Sequence, residues 1–171
     1  MFRRVFALLF CLLLTIMPVM AGAATTIACY TGPGYEYDTL DFTLTEGVDI
    51  TCYYLAYDSK GSPWVQVEVK QGTNLLRVYL PKDNVIGDLS MLTVEKRAAE
   101  LNPQMLAWLY LTDACVPRLG PGTHFNRLNY TLTTQTEGVI ILFENNWGLL
   151  EIDQGNGRLI RMWLPKSELI Y

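Results

Sequence analysis

The second half of this chain repeats the first, and that repeat constrains the fold more than any other feature. Gly32 to Leu44 (GPGYEYDTLDFTL) returns as Gly120 to Leu132 (GPGTHFNRLNYTL), and Leu75 to Ile86 (LLRVYLPKDNVI) returns as Leu159 to Ile170 (LIRMWLPKSELI). Between the blocks, a tryptophan leads an alternating run in each copy, WVQVEV from Trp64 and WGLLEI from Trp147. The offset drifts from 88 residues at the first block to 83 at the tryptophan and 84 at the last, as small loop changes in a common framework would produce. Two copies of roughly 60 residues suit a pair of small modules rather than a solenoid, which needs about three repeats or more. Tandem copies of one module usually serve binding rather than catalysis.

The N-terminus stands outside the repeat. Arg3 and Arg4 precede an apolar run from Val5 to Met20, and Ala21-Gly22-Ala23 supplies the small residues of a cleavage site. This is the pattern of a secretory signal peptide over residues 1–23, and the run is short for a membrane anchor. The expected product is secreted or held in the cell envelope. With the leader removed, 11 basic residues face 17 acidic ones, a net charge of −6. That balance disfavours nucleic acid and simple electrostatic docking to anionic polymers or lipids. No other segment is long and apolar enough to span a membrane.

Cys29, Cys52 and Cys115 remain after the leader, an odd number in an exported protein. Export permits a disulfide. Cys29–Cys52, within one copy, is the first expectation, and Cys29–Cys115 competes because both lead their copies. Lipid attachment at Cys29 is the weaker alternative, because Thr26 is unusual in a lipobox and the cysteine lies well beyond the apolar run.

Each copy reads as strands separated by turns. In the first, Thr25 to Tyr30, Leu40 to Leu44, Asp49 to Tyr57, Trp64 to Val69 and Leu75 to Leu80 carry alternating or β-branched and aromatic residues. Pro81 ends the last of these, having no N–H for a ladder. The second copy repeats the scheme through Val139 to Phe143, Trp147 to Ile152 and Arg158 to Leu164, with Cys115 in its leading strand. Five short strands in about 60 residues suit a small closed or partly open barrel. Between the copies, Leu92 to Leu101 has helix formers with Pro103 beyond them. Met105 to Leu111 is too apolar for a loose linker and should pack between the modules or begin the second one. The expected organisation is a leader (1–23), a first module (24–87), a partly helical connector (88–110) and a second module (111–171), mainly β throughout.

A GPG turn, a tryptophan leading a hairpin strand and a closing aromatic-aliphatic-proline segment resemble the bacterial SH3-like (SH3b) domain. Arg118-Leu119-Gly120-Pro121 matches the family's R-x-G-P element. Trp147 with Leu150 and Trp64 with Val67 match its W-x-x-V, and Trp163-Leu164-Pro165 and Tyr79-Leu80-Pro81 match the end of its G-W-V-P. The usual glycine of that last element is Met162 or Val78, and the first copy has Tyr30-Thr31 where the arginine would stand. The resemblance implies two SH3-like barrels, no cofactor, and binding of a cell-wall peptide or glycopeptide; docking onto another secreted protein is the alternative.

In such domains the binding surface lies between the GPG loop and the hairpin turns. The first copy would offer Tyr35, Tyr37, Tyr57, Trp64 and Tyr79, whose flat faces stack while their polar tips bond, with Glu36, Asp38 and Asp58 for amines. The second would offer Arg118, Thr123, His124 and Arg127. Against this, Tyr37 aligns with Phe125 and Tyr79 with Trp163, so bulk is retained while the polar tip changes, a pattern of core packing. Tyr35 aligns with Thr123 and is the better exposed contact. His124, the single histidine, is a pH-sensitive contact or an ordinary loop residue.

Catalysis finds no footing in these residues. A thiol hydrolase would need Cys115 and His124 together with an orienting group. No G-x-S-x-G turn is present. One histidine and scattered cysteines give no metal spacing, and neither lysine nor helix follows the first GPG to make a phosphate cradle.

Overall fold

The computed structural model describes residues 25–95, 106–109, 115–130, 132 and 136–170. The chain is all-β. In the first half, β1 (Thr26–Tyr30), β2 (Thr39–Thr45), β3 (Ile50–Tyr57), β4 (Pro63–Gln71), β5 (Asn74–Pro81) and β6 (Thr93–Val94) form a six-stranded sheet in the order β2-β1-β5-β4-β3-β6. In the second, β7 (Leu106–Leu109), β8 (Thr136–Glu144), β9 (Trp147–Asp153), β10 (Leu159–Pro165) and β11 (Leu169–Ile170) form a five-stranded sheet in the order β10-β9-β8-β7-β11. Neither hydrogen-bond ladder closes on itself: β2 and β6 end one, β10 and β11 the other. The signal-peptide expectation falls on residues outside those described.

Register shows how alike the halves are. Tyr30 pairs with Thr39 on one side and Tyr79 on the other, and the equivalent Arg118 bridges Arg127 and Trp163. Both β3 and β8 carry a bulge at the same repeat position, between Cys52 and Tyr54 and between Ile140 and Leu142. Such a bulge bends the strand at a fixed point. The drift in offset lies in two turns. Ala56 and Trp64 face each other across a long loop in the first copy, whereas the equivalent Glu144 and Trp147 are joined by Asn145 and Asn146 alone. Both asparagines have positive φ (49° and 62°), as the tightest two-residue hairpin turn requires. The turn from β9 to β10 is one residue longer than that from β4 to β5.

Cores follow the alternation read in the sequence. Val65, Val67, Val69, Leu76, Val78 and Leu80 anchor the first, and Ile140, Leu150, Ile152, Ile160, Met162 and Leu164 the second. Three expectations need correction. Thr93–Val94 is a strand paired parallel with Tyr54 and Leu55, not the start of a helix, and residues 96–101 of that expected helix lie outside those described. The apolar Met105 to Leu111 stretch does begin the second sheet, as β7, but Cys115, expected in a leading strand, lies outside any strand. Cys29 and Cys52 are both free thiols: their strands, β1 and β3, are separated in the sheet by β5 and β4. Cys115 is free as well.

Candidate functional site

The two copies meet through their GPG loops. The first glycine of each exists for a neighbouring ring: a Cβ on Gly32 would collide with Tyr37, and one on Gly120 with Phe125. Each loop then pairs with the other copy at the start of β10 or β5. Asp38 N donates to Leu159 O, and in the equivalent place Asn126 N donates to Leu75 O, both at 3.0 Å. Leu119 packs into the first core. Such reciprocity marks an isologous contact, as across a twofold axis.

Two arginines occupying equivalent places in the repeat lock this junction. Arg77 lies opposite Glu68 on the β4–β5 ladder, and Arg161 opposite Glu151 on β9–β10. Each guanidinium reaches towards the other copy's aromatic pair: Arg77 faces Phe125 and Trp163, both at 5.7 Å, and Arg161 faces Tyr37 at 5.2 Å, with the Tyr79 of the same copy as Tyr37 at 5.3 Å. Arg77 bonds Glu144 at 2.7 Å and Glu68 at 3.2 Å. Arg161 bonds Glu151 at 2.8 Å and Glu95 at 2.5 Å, and reaches the Tyr79 hydroxyl at 3.0 Å. Tyr79 donates to Glu95 at 2.6 Å and accepts from Gln66, while Tyr37 donates to Glu151 at 2.5 Å. Burial, with the Glu95 charge, pushes the Tyr79 phenol well above its usual value despite the opposing pull of Arg161. Although burial opposes it, the carboxylates and phenols around Arg161 raise that guanidinium further.

Beside this junction lies an open cleft of about 340 Å³, walled by equivalent segments of both copies. Thr39 to Phe42 of one copy and Arg127 to Tyr130 of the other line it, together with Leu76, Leu119 and Ile160. Equivalent positions differ in charge: Asp41 corresponds to Asn129, and Thr39 to Arg127. The cleft therefore has a carboxylate from one copy and a guanidinium from the other. Asp38, which also lines it, is held by Arg158 at 2.6 Å and Gln154 at 2.7 Å. Thr31 lines it too, and its buried hydroxyl has no hydrogen-bond partner among the described residues. Burial, with the nearby Asp38 charge, raises the Tyr130 phenol.

The aromatic groove expected in the first copy is not open. Trp64 is 1 % exposed; Tyr30 and Tyr35 meet it edge-on at 5.2 and 5.1 Å, and its indole N–H points to Asp58 at 3.4 Å. Tyr37 and Tyr79 are buried, as their retained bulk predicted, and so are Phe125 and Trp163. Tyr35, at 68 %, and Tyr57 remain exposed. In the second copy Arg118 braces the loop, donating to Phe125 O at 2.7 Å, and exposed His124 tilts against the Phe125 ring. Burial pushes the Cys29 thiol to about 12 and, with Glu168, the Cys115 thiol to about 11, away from the thiolate that nucleophilic chemistry needs. Among the described residues no group of three or more His, Cys, Asp or Glu could hold a metal ion, and no helix is long and apolar enough to cross a membrane.

Sequence reasoning named Asp38 and Arg127 of the cleft but did not single out Glu95, Glu151, Arg161 or Asp41. The one signal for them was the repeat itself, in the exchange of Thr39 and Asp41 for Arg127 and Asn129. Comparisons with protein-family models, curated proteins and solved structures found nothing that matches this chain.

Proposed function

We propose that this is a non-catalytic, exported binding protein built of two SH3-like copies that together hold a short cell-wall peptide or glycopeptide. The observation carrying this reading is the cleft between the copies, lined by Asp41 from one and Arg127 from the other. A short peptide with free amino and carboxyl groups is a zwitterion, and this pair complements it. Its apolar lining at Leu40, Phe42 and Leu128 suits side chains or a sugar face, and the Thr31 hydroxyl, unpartnered among the described residues, offers a further hydrogen bond. Both charged groups are exposed, so each adds about 0–1 kcal/mol of attraction and mainly orients the ligand. Export rests on the leader pattern of Arg3, Arg4 and the apolar run to Met20, and family membership on the motif order.

Isothermal titration of the mature protein with disaccharide-peptide fragments of peptidoglycan tests the reading. Asp41→Asn and Arg127→Gln should each weaken binding by roughly three- to tenfold, corresponding to about 1 kcal/mol, and Tyr35→Ala should leave it unchanged. Absence of binding by the wild type, or its loss in Tyr35→Ala alone, would sink the proposal. One observation favours a second reading, docking on a secreted protein: Tyr35 projects from an aromatic cluster with Tyr30 and Trp64. That reading requires Tyr35→Ala to abolish partner capture while the cleft variants retain it.

A further inference from the structure

The two halves differ at one edge. In the second, β7 lies between β8 and β11: Leu106 pairs with Val139, Leu109 with Thr136 and Leu169, and Trp108 with Ile170. At the repeat offsets of 88 and 84 residues, the first-half equivalents of the positions flanking that strand are Val48 to Thr51 and Val85-Ile86. No strand lies between them among the described residues, since β6 meets β3 further along, at Tyr54 and Leu55. A cavity of about 130 Å³ fills the place, with Ile27, Leu44, Val48, Ile50 and Leu80 among its lining and Ile86 at its rim. Ile86 is 94 % exposed, although its counterpart Ile170 is paired.

We infer that this edge of the first copy is a strand-addition site for an extended segment of another polypeptide, with large apolar residues in alternation and basic flanks. The second copy supplies the pattern, in which Leu106-Ala107-Trp108-Leu109 adds antiparallel to both neighbours. Open edges of this kind recruit strands through backbone hydrogen bonds, and pockets select the side chains. On the reading that the leader is cleaved, which this inference shares with the proposed function, the chain's own repeat equivalent of β7 is removed from the mature protein. The equivalent of β7 would be Pro18 to Ala21, ahead of the expected cleavage after Ala23, and Thr25 is already bonded to Glu46. Glu46 lines the cavity, and Asp49 and Asp83 neighbour its lining residues Val48, Ile50 and Asn84 in sequence, against one Lys82, so basic flanks complement it.

The test is a backbone-amide NMR titration of the mature protein with the synthetic peptide Lys-Lys-Leu-Ala-Trp-Leu-Lys-Lys. Saturable shifts should fall on Val48 to Thr51 and Val85-Ile86. Ile86→Asp, at an exposed position that leaves the fold intact, should weaken binding by about tenfold or more. A peptide with alternate backbone amides methylated should not bind, because it keeps the apolar side chains and loses the ladder donors. Absence of saturable shifts, shifts elsewhere, or equal binding of the methylated peptide would overturn the inference. So would concentration-dependent self-association of the peptide-free protein through these same amides, which would make a second copy the occupant.

Discussion

Arg77 and Arg161 occupy the same place in the repeat, yet their surroundings obey different rules. The carboxylates around Arg77, Glu68 and Glu144, are each 24 % exposed, so water shares their charge. Those around Arg161 are nearly sealed, Glu95 at 2 % and Glu151 at 11 %. One guanidinium cannot fully satisfy two buried carboxylates, and the remaining donors come from phenols. Tyr37 serves Glu151 and Tyr79 serves Glu95, whereas Arg77 meets one phenol, Tyr53 of its own copy at 3.8 Å, and the other copy's Phe125 and Trp163, which have no hydroxyl. The exchange of Tyr37 and Tyr79 for Phe125 and Trp163 thus tracks solvent access: the sealed site has two phenols for its carboxylates and the open one a single phenol.

The largest test of that contrast is Arg161→Met, which leaves two carboxylates buried without their cation. It should cost about 3–5 kcal/mol in urea unfolding. Arg77→Met should cost less, about 1–2 kcal/mol, because Glu68 and Glu144 can turn to water; equal losses would erase the distinction. Tyr37→Phe removes a hydrogen bond to a charged acceptor and should cost about 1.5–3 kcal/mol, whereas its mirror image Phe125→Tyr should add no stability.

Alkaline titration sharpens the same point. The folded state holds Tyr79 neutral well above the usual 10.0, so its contribution is complete below that pH. As pH rises past the unfolded value, only the unfolded chain ionises, and stability falls. Tyr79→Phe should flatten this alkaline decline, followed by unfolding midpoints between pH 9 and 11. The smallest effect belongs to the hairpin. Burial would raise the Asp58 carboxyl, but the Ser62 and Lys60 amides and the Trp64 indole hold it below 3.8. Its contribution is present above that value and lost as pH falls through the lowered one. Asp58→Ala should cost about 1 kcal/mol at neutral pH and nothing in acid below the folded value.

Most strands were legible in the sequence because alternation, Pro81 and the turn clusters are local signals. Burial of Tyr37 and Tyr79 was legible from Phe125 and Trp163 as their counterparts. The contacts of Arg161 with Glu95 and Tyr79 were not, since they join residues far apart in the chain and depend on how the copies dock. Thr93–Val94 defeated a reading from helix propensity because the free edge of β3 offered it a ladder. The open groove failed for a related reason: Tyr35 folds back across Trp64, a contact that neither residue's spacing announces.

The central claim is that the two copies form one cooperative body locked by reciprocal arginines. Differential scanning calorimetry of the mature protein, wild type beside Arg161→Met, tests it most directly. A cooperative body melts in a single transition whose calorimetric and van't Hoff enthalpies agree, and which shifts down as a whole in the variant. Two transitions in the wild type, only one of them moved by the substitution, would contradict it.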